Sequence, residues 1–457
     1  MKIFAAHRDE FRDLLRLGLP MVATQFFIMA MGFLDVAMAG HYSSVDLAGV
    51  ALGGNILWPV FMLMSGLTMA LTPIVAQLRG AAAVDQAGSK IRQGLWVALF
   101  ASFVCVAVII NAEPIFVLSG VDAEAAAIGV RYLRAAAWGI PPVLLYVTLR
   151  YTSEGLGKTL PPMLIAGAAL PLNGLLNYMF IYGKFGAPQL GGEGCGWATA
   201  IVMWFELILI CLLLRSSYFR ATKVLSHFEP PRIDEILRIL KIGLPIGLTV
   251  FVEMAFFSVV GLMIGSLGVT SLAAHSIAGN VNWATYVIPM AFGSAASIRV
   301  GYFVGANDFE QSRHVAKTAF FMSLCYALAI SVVLILARQH IVTAYTQDPA
   351  VLTMAASLLL FIAVYQIVDD TQATMVGALR GYKDTRMPMV FALVGFWFLA
   401  LPLGAALAFG WFDLPAYGVA GFWFAMTLGL AIVAVCVGFR LVSTSRNDSR
   451  IERFARI

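Results

Sequence analysis

The carboxylates of Asp35, Glu253, Asp369 and Asp370 lie in stretches otherwise apolar enough to cross a bilayer. Asp35 sits in Met31-Gly32-Phe33-Leu34-Asp35-Val36-Ala37-Met38, and Glu253 in Val250-Phe251-Val252-Glu253-Met254-Ala255-Phe256-Phe257. Asp369 and Asp370 sit in Tyr365-Gln366-Ile367-Val368-Asp369-Asp370-Thr371-Gln372. A charge in hydrocarbon costs on the order of a few kcal/mol or more, so each acid needs a reason to be there. Burial disfavours the charged form unless a cation pairs with it. A carboxylate so placed can take up H+ or hold Na+ and release it when access changes. The competing structural reading is a neutral acid hydrogen-bonded between helices. Adjacent helical residues point about 100° apart, so Asp369 and Asp370 cannot face one cavity equally. Tyr365, four residues before Asp369, shares its face and could orient it or touch a cation. Asn173 and Asn177 are also four apart and share a face, from which they could hydrogen-bond a carboxylate on a neighbouring helix. Thr199 could join them.

The elements that must hold these groups are membrane helices. Of 457 residues, 60% are hydrophobic and 12% charged, too few charges to cover a soluble domain of this length. Mean hydropathy is +0.86. At about 20 apolar residues per crossing the chain suits twelve helices, so the fold class is an all-α polytopic membrane protein. The spans fall near 14–38, 47–76, 92–112, 127–149, 160–182, 194–214, 240–264, 273–303, 316–337, 352–377, 388–409 and 417–440. Basic residues flank one set of connections: Arg8, Arg12 and Arg16, then Arg79, Lys90 and Arg92, Lys158, Arg220 to Arg232, Arg380 to Arg386, and Arg446 to Arg453. Alternate connections at His41 to Asp46, Gly265 to Ser271 and Gly410 to Tyr417 carry none. The positive-inside rule then puts both termini in the cytoplasm. The net charge of +5 follows from these flanks and is not a nucleic-acid signal. The first apolar run lacks a small-residue cleavage pattern and reads as a span rather than a leader.

The chain repeats itself. Leu17-Gly18-Leu19-Pro20 recurs as Ile242-Gly243-Leu244-Pro245, an offset of 245 − 20 = 225. The same offset relates Gly54-Asn55 to Gly279-Asn280, Trp58 to Trp283, and Gly80-Ala81 to Gly305-Ala306. Later it becomes 226: Pro162-Met163 matches Pro388-Met389, and Gly192 and Trp197 match Gly418 and Trp423. The predicted organisation is an N-lobe at 1–220 with helices 1–6, a cytoplasmic linker at 221–238, and a C-lobe at 239–457 with helices 7–12. Each half has an even number of spans, so this is a parallel repeat about an axis along the membrane normal, an arrangement that lets two bundles rock around a site. Pro20 and Pro245 occupy equivalent places and are candidate hinges, because proline frees a carbonyl and permits a kink. At offset 225, Glu253 aligns with Ile28 and Asp35 with Val260. The acids were therefore acquired separately by each half.

Other chemistry finds little support. Gly157-Lys158-Thr159 resembles the end of a Walker A motif, but Thr152 stands where its first glycine belongs. No metalloprotease motif, serine-hydrolase elbow or zinc cluster is present, and the five cysteines show neither metal nor disulfide spacing. No cofactor is expected.

At this point the sequence resembles the multidrug and toxic compound extrusion (MATE) family, in its NorM-like branch. The resemblance is carried by Met31-Gly32-Phe33-Leu34-Asp35, Pro73-Ile74-Val75-Ala76-Gln77, Leu172-Asn173 with Asn177, and Gly192-Glu193-Gly194-Cys195-Gly196. The second half adds Phe251-Val252-Glu253, Ala274-His275, Tyr365-Gln366 with Asp369, and Leu379-Arg380-Gly381-Tyr382-Lys383-Asp384. It spans nearly the whole chain. It implies two six-helix bundles arranged as a V, and antiport of cationic amphipathic drugs and dyes against Na+ or H+ by alternating access. By position, Asp35, Asn173, Asn177 and Thr199 resemble the family's N-lobe polar cluster, while Glu253, Asp369 and Tyr365 resemble its C-lobe cation site, with Glu253 and Asp369 as Na+ ligands. Asp370 is an extra acid, and which of the aspartate pair is coupled stays open. A monomer suffices for such a mechanism. The rival readings are a lipid-linked sugar flippase, which calls for arginines in its cleft, and an intramembrane enzyme, which calls for a convergent nucleophile and base.

Overall fold

The computed structural model describes residues 2–118, 121–413 and 415–455, with side chains from Asp9 onward. The Arg8 side chain and the outer limits Met1 and Ile457 of the predicted lobes lie outside that description. All regular structure among the described residues is helical, as backbone surrounded by hydrocarbon requires when strands cannot close into a barrel. Packing divides the chain into two compact units, Leu19–Gly247 and Met1–Gly18 with Leu248–Ile457.

The Leu19–Gly247 unit holds most of α1 (Lys2–Tyr42). It continues through α2 (Ser44–Thr68), α3 (Leu71–Gly80), α4 (Ala87–Ile110), α5 (Glu113–Leu118), α6 (Ala123–Ala137) and α7 (Ile140–Gly155). It ends with α8 (Leu160–Tyr182), α9 (Gly192–Leu213), α10 (Ser217–Arg220) and the start of α11 (Ile233–Gly265). The other unit takes the first turns of α1 and the rest of α11. To these it adds α12 (Val269–Gly305), α13 (Phe309–Thr343), α14 (Pro349–Gly381), α15 (Arg386–Leu393), α16 (Leu401–Phe409), α17 (Val419–Ser445) and α18 (Asp448–Ala455).

Eleven helical stretches among the described residues are long and apolar enough to cross a membrane. The span predicted at 127–149 is not one of them, because it is broken. Helix α6 stops at Ala137 and α7 begins at Ile140, just ahead of Pro141 and Pro142. Prolines lack an N–H, and in the first turn of a helix that loss forfeits no intrahelical bond. Gly139 at the break lies against α9: a Cβ there would come within 2.5 Å of Met203 Sδ and 2.8 Å of Ala200 Cα. Together α6 and α7 supply the remaining crossing of a twelve-helix fold.

The repeat is visible in backbone detail, with one correction. Gly191 and Gly418 cap α9 and α17 in the same unusual conformation, φ 58° and ψ −133° against φ 56° and ψ −135°. Leu190 N bonds Phe180 O, and Tyr417 N bonds Leu407 O. Gly418 is therefore the counterpart of Gly191, not of Gly192, and the offset has grown to 418 − 191 = 227. The extra residue enters between α15 and α16, where Val394–Ala400 winds as a π-helix. A π turn accommodates one residue more than the α turn it replaces. Its Trp397 Nε1 donates to Val252 O at 3.1 Å and so fixes the backbone beside Glu253.

The divisions between units fall at Gly18/Leu19 and Gly247/Leu248, within three residues of Pro20 and Pro245. Each helix that opens a half thus begins in one unit and continues in the other. At the start of α1, Glu10 is buried and accepts from Arg299 Nη2 at 2.6 Å and Gln311 Nε2 at 3.0 Å. At the start of α11, Glu235 pairs with Lys90. Gly243 lets α11 cross α2 closely, since a Cβ there would meet Leu67 O at 2.0 Å. The segment predicted as a linker is tied down by α4. Trp96 Nε1 donates to Glu229 O at 3.0 Å, and Gln93 Nε2 to Pro230 O at 2.9 Å. The Glu229 carboxylate accepts from Ser89 Oγ at 2.8 Å and Arg92 Nε at 2.9 Å. Burial alone would raise the Glu229 carboxyl, but these donors outweigh it and hold the group below the usual carboxylate range.

Candidate functional site

The Leu19–Gly247 unit brings four of the predicted residues together. Asp35 is 8% exposed on α1. Its Oδ1 accepts from Asn177 Nδ2 at 2.6 Å and from Asn173 Nδ2 at 3.1 Å, and its Oδ2 accepts from Thr199 Oγ1 at 3.2 Å. The two asparagines share one face of α8, as their four-residue spacing requires, and Asn177 Nδ2 also lies 3.2 Å from Asn173 Oδ1. Asn177 Oδ1 is buried with no hydrogen-bond partner. One acid thus receives three neutral donors from two neighbouring helices. Around it the backbone is fixed as well: Cys195 Sγ approaches Asp35 O at 3.6 Å, and Tyr182 Oη donates to Met38 O at 2.9 Å.

The other unit holds two carboxylates in mutual range. Glu253 on α11 and Asp369 on α14 interact electrostatically, and Arg380, about three turns beyond Asp369 on α14, acts on Glu253. Tyr365 is 1% exposed and packs edge-on against Trp423 at 5.8 Å. It and Tyr286 on α12 both lie in the field of the two acids. Tyr286 was not singled out by the sequence, where it is one aromatic among many.

The aspartate pair is split between two surroundings. Asp370 is fully buried and accepts from Gln366 Nε2, four residues earlier. Gln366 Oε1 in turn accepts from Thr285 Oγ1 at 2.9 Å, and Tyr326 Oη donates to Thr285 O at 2.8 Å. So Tyr365 accompanies Asp369 on one face of α14, and Gln366 accompanies Asp370 on another. Gln366 and Thr285 were missed, although Gln366 stands to Asp370 as Tyr365 stands to Asp369. Glu206, Arg150 and Glu154 in the first unit were also missed, and all three are buried. No three His, Cys, Asp or Glu converge on one point among the described residues. Pro20 O accepts from Thr24 Oγ1 at 2.8 Å.

Two repeat-related helical units, each with an acid held inside its membrane helices, define a polytopic transporter of the two-bundle kind. Residues 20–179 and 245–406 match the family model described as MatE. The chain is 39% identical over 446 residues to "Multidrug resistance protein MdtK" of Photorhabdus laumondii, covering 97% of each. It is equally similar to the protein of the same name from Proteus mirabilis, again with 97% of each chain covered. Among solved structures it superimposes on the eukaryotic MATE transporter AtDTX14 with a TM-score of 0.88 at 20% identity, covering 99% of both chains. On the Vibrio cholerae MATE transporter VcmN in the bent form the TM-score is 0.85 at 17% identity, covering 98% of this chain and 99% of that one. The chain belongs to the MatE family.

Proposed function

We propose that this protein is a secondary multidrug exporter, exchanging cationic amphipathic drugs and dyes for Na+ or H+ by alternating access. The observation that carries the reading is the Asp35 site. An acid that three neutral donors surround, with no cationic side chain beside it, is arranged for an exchangeable cation rather than a permanent salt bridge. The names of the curated relatives support the drug as cargo. Asp35, Glu253 and Asp369 are the coupling acids in this reading, supported by Asn173, Asn177, Thr199 and Tyr365. Glu253 and Asp369 supply hard oxygen donors of the kind Na+ takes. Pro20 and Pro245, beside the divisions between units, are the hinges. The protein works as a monomer in the bacterial inner membrane with both termini in the cytoplasm, as the basic connections favour. The deep charges are mostly acidic, which argues against a flippase that holds a pyrophosphate.

A ligand shifts an equilibrium between access states only by its differential affinity for them. The acids must therefore bind the ion differently in the two states. The test is ethidium efflux from proteoliposomes of purified protein, driven in turn by an inward Na+ gradient and an inward pH gradient. Efflux under one of them names the coupling ion. Indifference to both, across several cationic dyes, would overturn the reading.

A further inference from the structure

A second buried ionisable cluster lies in the Leu19–Gly247 unit, apart from Asp35. Glu206 on α9 is 6% exposed, and Arg150 and Glu154 on α7 are 6% and 3% exposed. Arg150 Nε donates to Glu154 Oε1 at 2.8 Å, one turn along the same helix. The guanidinium also lies 5.9 Å from the Tyr151 ring centroid. That pair is neutral as it stands, so Glu206 is the surplus charge. Arg150, already paired, is the charged group that acts on it. Tyr146, one turn before Arg150, lies in the field of Glu206 and Arg150, yet its hydroxyl is buried with no hydrogen-bond partner. Buried polar groups without partners are uncommon in folded proteins. Here an unpartnered hydroxyl lies in the field of a surplus acid.

The helices in contact with α9 are α1, α2, α6, α7 and α8, and among their described residues Arg150 is the charge that acts on Glu206. On α6, Arg131 pairs with Glu193, Arg134 pairs with Glu113, Tyr132 lies in the field of Asp35, and Glu124 sits in the first turn. Asp46 on α2 accepts from Gly192 N at 2.6 Å. Tyr178 and Tyr182 sit at the far end of α8. Glu206 also follows Thr199 by seven residues, two turns or about 10 Å along nearly the same face of α9. Thr199 is the residue that donates to Asp35.

We propose that Glu206 is a second proton-carrying site of this unit, spaced along α9 from Asp35. As a carboxylate Glu206 takes up a proton from hydronium and becomes a carboxylic acid, then releases it again to water, with Arg150 and Glu154 paired throughout. The transport role rests on the exporter reading: the proton then passes between Asp35 and the Leu213 end of α9.

The test is infrared difference spectroscopy of the full chain in lipid nanodiscs, between alkaline and acidic buffer. The wild type should show a protonated-carboxyl C=O band that Glu206→Gln removes and Asp35→Asn leaves in place. A folded Glu206→Gln protein with the wild-type spectrum would overturn the proposal, because it would make Glu206 a permanent ion-pair partner of Arg150. Should Glu206→Gln fail to fold, Glu206→Asp must shift the band, and an unshifted band overturns the proposal equally. The band is read without any gradient. Its presence without dye efflux would sink the exporter reading alone, and efflux without the band would sink this one.

Discussion

The two units share a repeat but build their acid sites by opposite means. In the Leu19–Gly247 unit one carboxylate is surrounded by neutral donors, Asn173, Asn177 and Thr199. In the other, Glu253 and Asp369 lie in electrostatic range of each other, with Tyr286, Tyr365 and Arg380 in the same field. The first arrangement keeps one acid in place whether it is charged or not. The second sets two like charges in mutual range, which one shared proton or one bound cation relieves. The repeat shows that neither is an inheritance. At the corrected offset of 227 the counterpart of Asn177 is Gly404, and at 225 the counterpart of Asp35 is Val260. Duplication supplied the frame, and each half placed its chemistry elsewhere in it.

The hardest blow to this comparison is Asp35→Asn. Efflux of ethidium from proteoliposomes should be lost under every gradient, with the protein still monodisperse. Wild-type efflux from that variant would leave the first site with no coupling role. Next in size, Glu253→Gln and Asp369→Asn should each abolish ion-driven efflux, whereas Asp370→Asn should keep most of it, because Asp370 is bonded to Gln366 on another face of α14. Equal losses at Asp369 and Asp370 would erase the distinction between the two faces of α14. A smaller effect is expected from Thr199→Val, which removes one of three donors and leaves the acid in place. A lost hydrogen bond to a charged group is worth about 1.5–3 kcal/mol, and the slowing of efflux should reach about tenfold, equivalent to ~1.4 kcal/mol. A rate within error of wild type would show that the asparagines alone hold Asp35.

The smallest effect concerns the clamp on the start of α11. The Glu229 carboxyl is held below its ordinary value in the folded protein. Its contribution to stability is therefore present above the ordinary carboxylate value of about 4.3 and is lost as pH falls through the lowered one. Glu229→Gln should lower the thermal midpoint at neutral pH by an amount equivalent to about 1 kcal/mol, and the gap from wild type should close in acid. A gap that persists unchanged in acid would mean that the carboxylate contributes nothing through its charge.

Much of the site could be read from the chain because an acid stands out against apolar neighbours. Asp35, Glu253 and the Asp369-Asp370 pair needed no fold to be noticed, and the four-residue spacing of Asn173 and Asn177 set their common face. Tyr286 and Thr285 carried no such contrast. Their importance comes from α12 lying beside α14, a matter of tertiary packing. The π turn at Val394–Ala400 left only a one-residue slip in the repeat, too faint to place correctly between Gly191 and Gly192. Pro141 and Pro142 were visible, but whether they kink or break a span depends on what Gly139 packs against. Nor does Leu17-Gly18-Leu19-Pro20 say in which bundle its first half will settle.

That last feature has a bearing on how the molecule is made. Glu10 and Arg299 are separated by 289 residues. At about 5–20 residues per second, roughly 15–60 s of synthesis pass between them. The Leu19–Gly247 unit is one continuous stretch and can assemble while the ribosome is still working. The opening turns of α1 have no such opportunity, since their partners on α12 and α13 do not yet exist. Closing so long a loop adds little entropy cost beyond a shorter one, so the constraint is one of time. A segment made long before its partners is among the last to find its place.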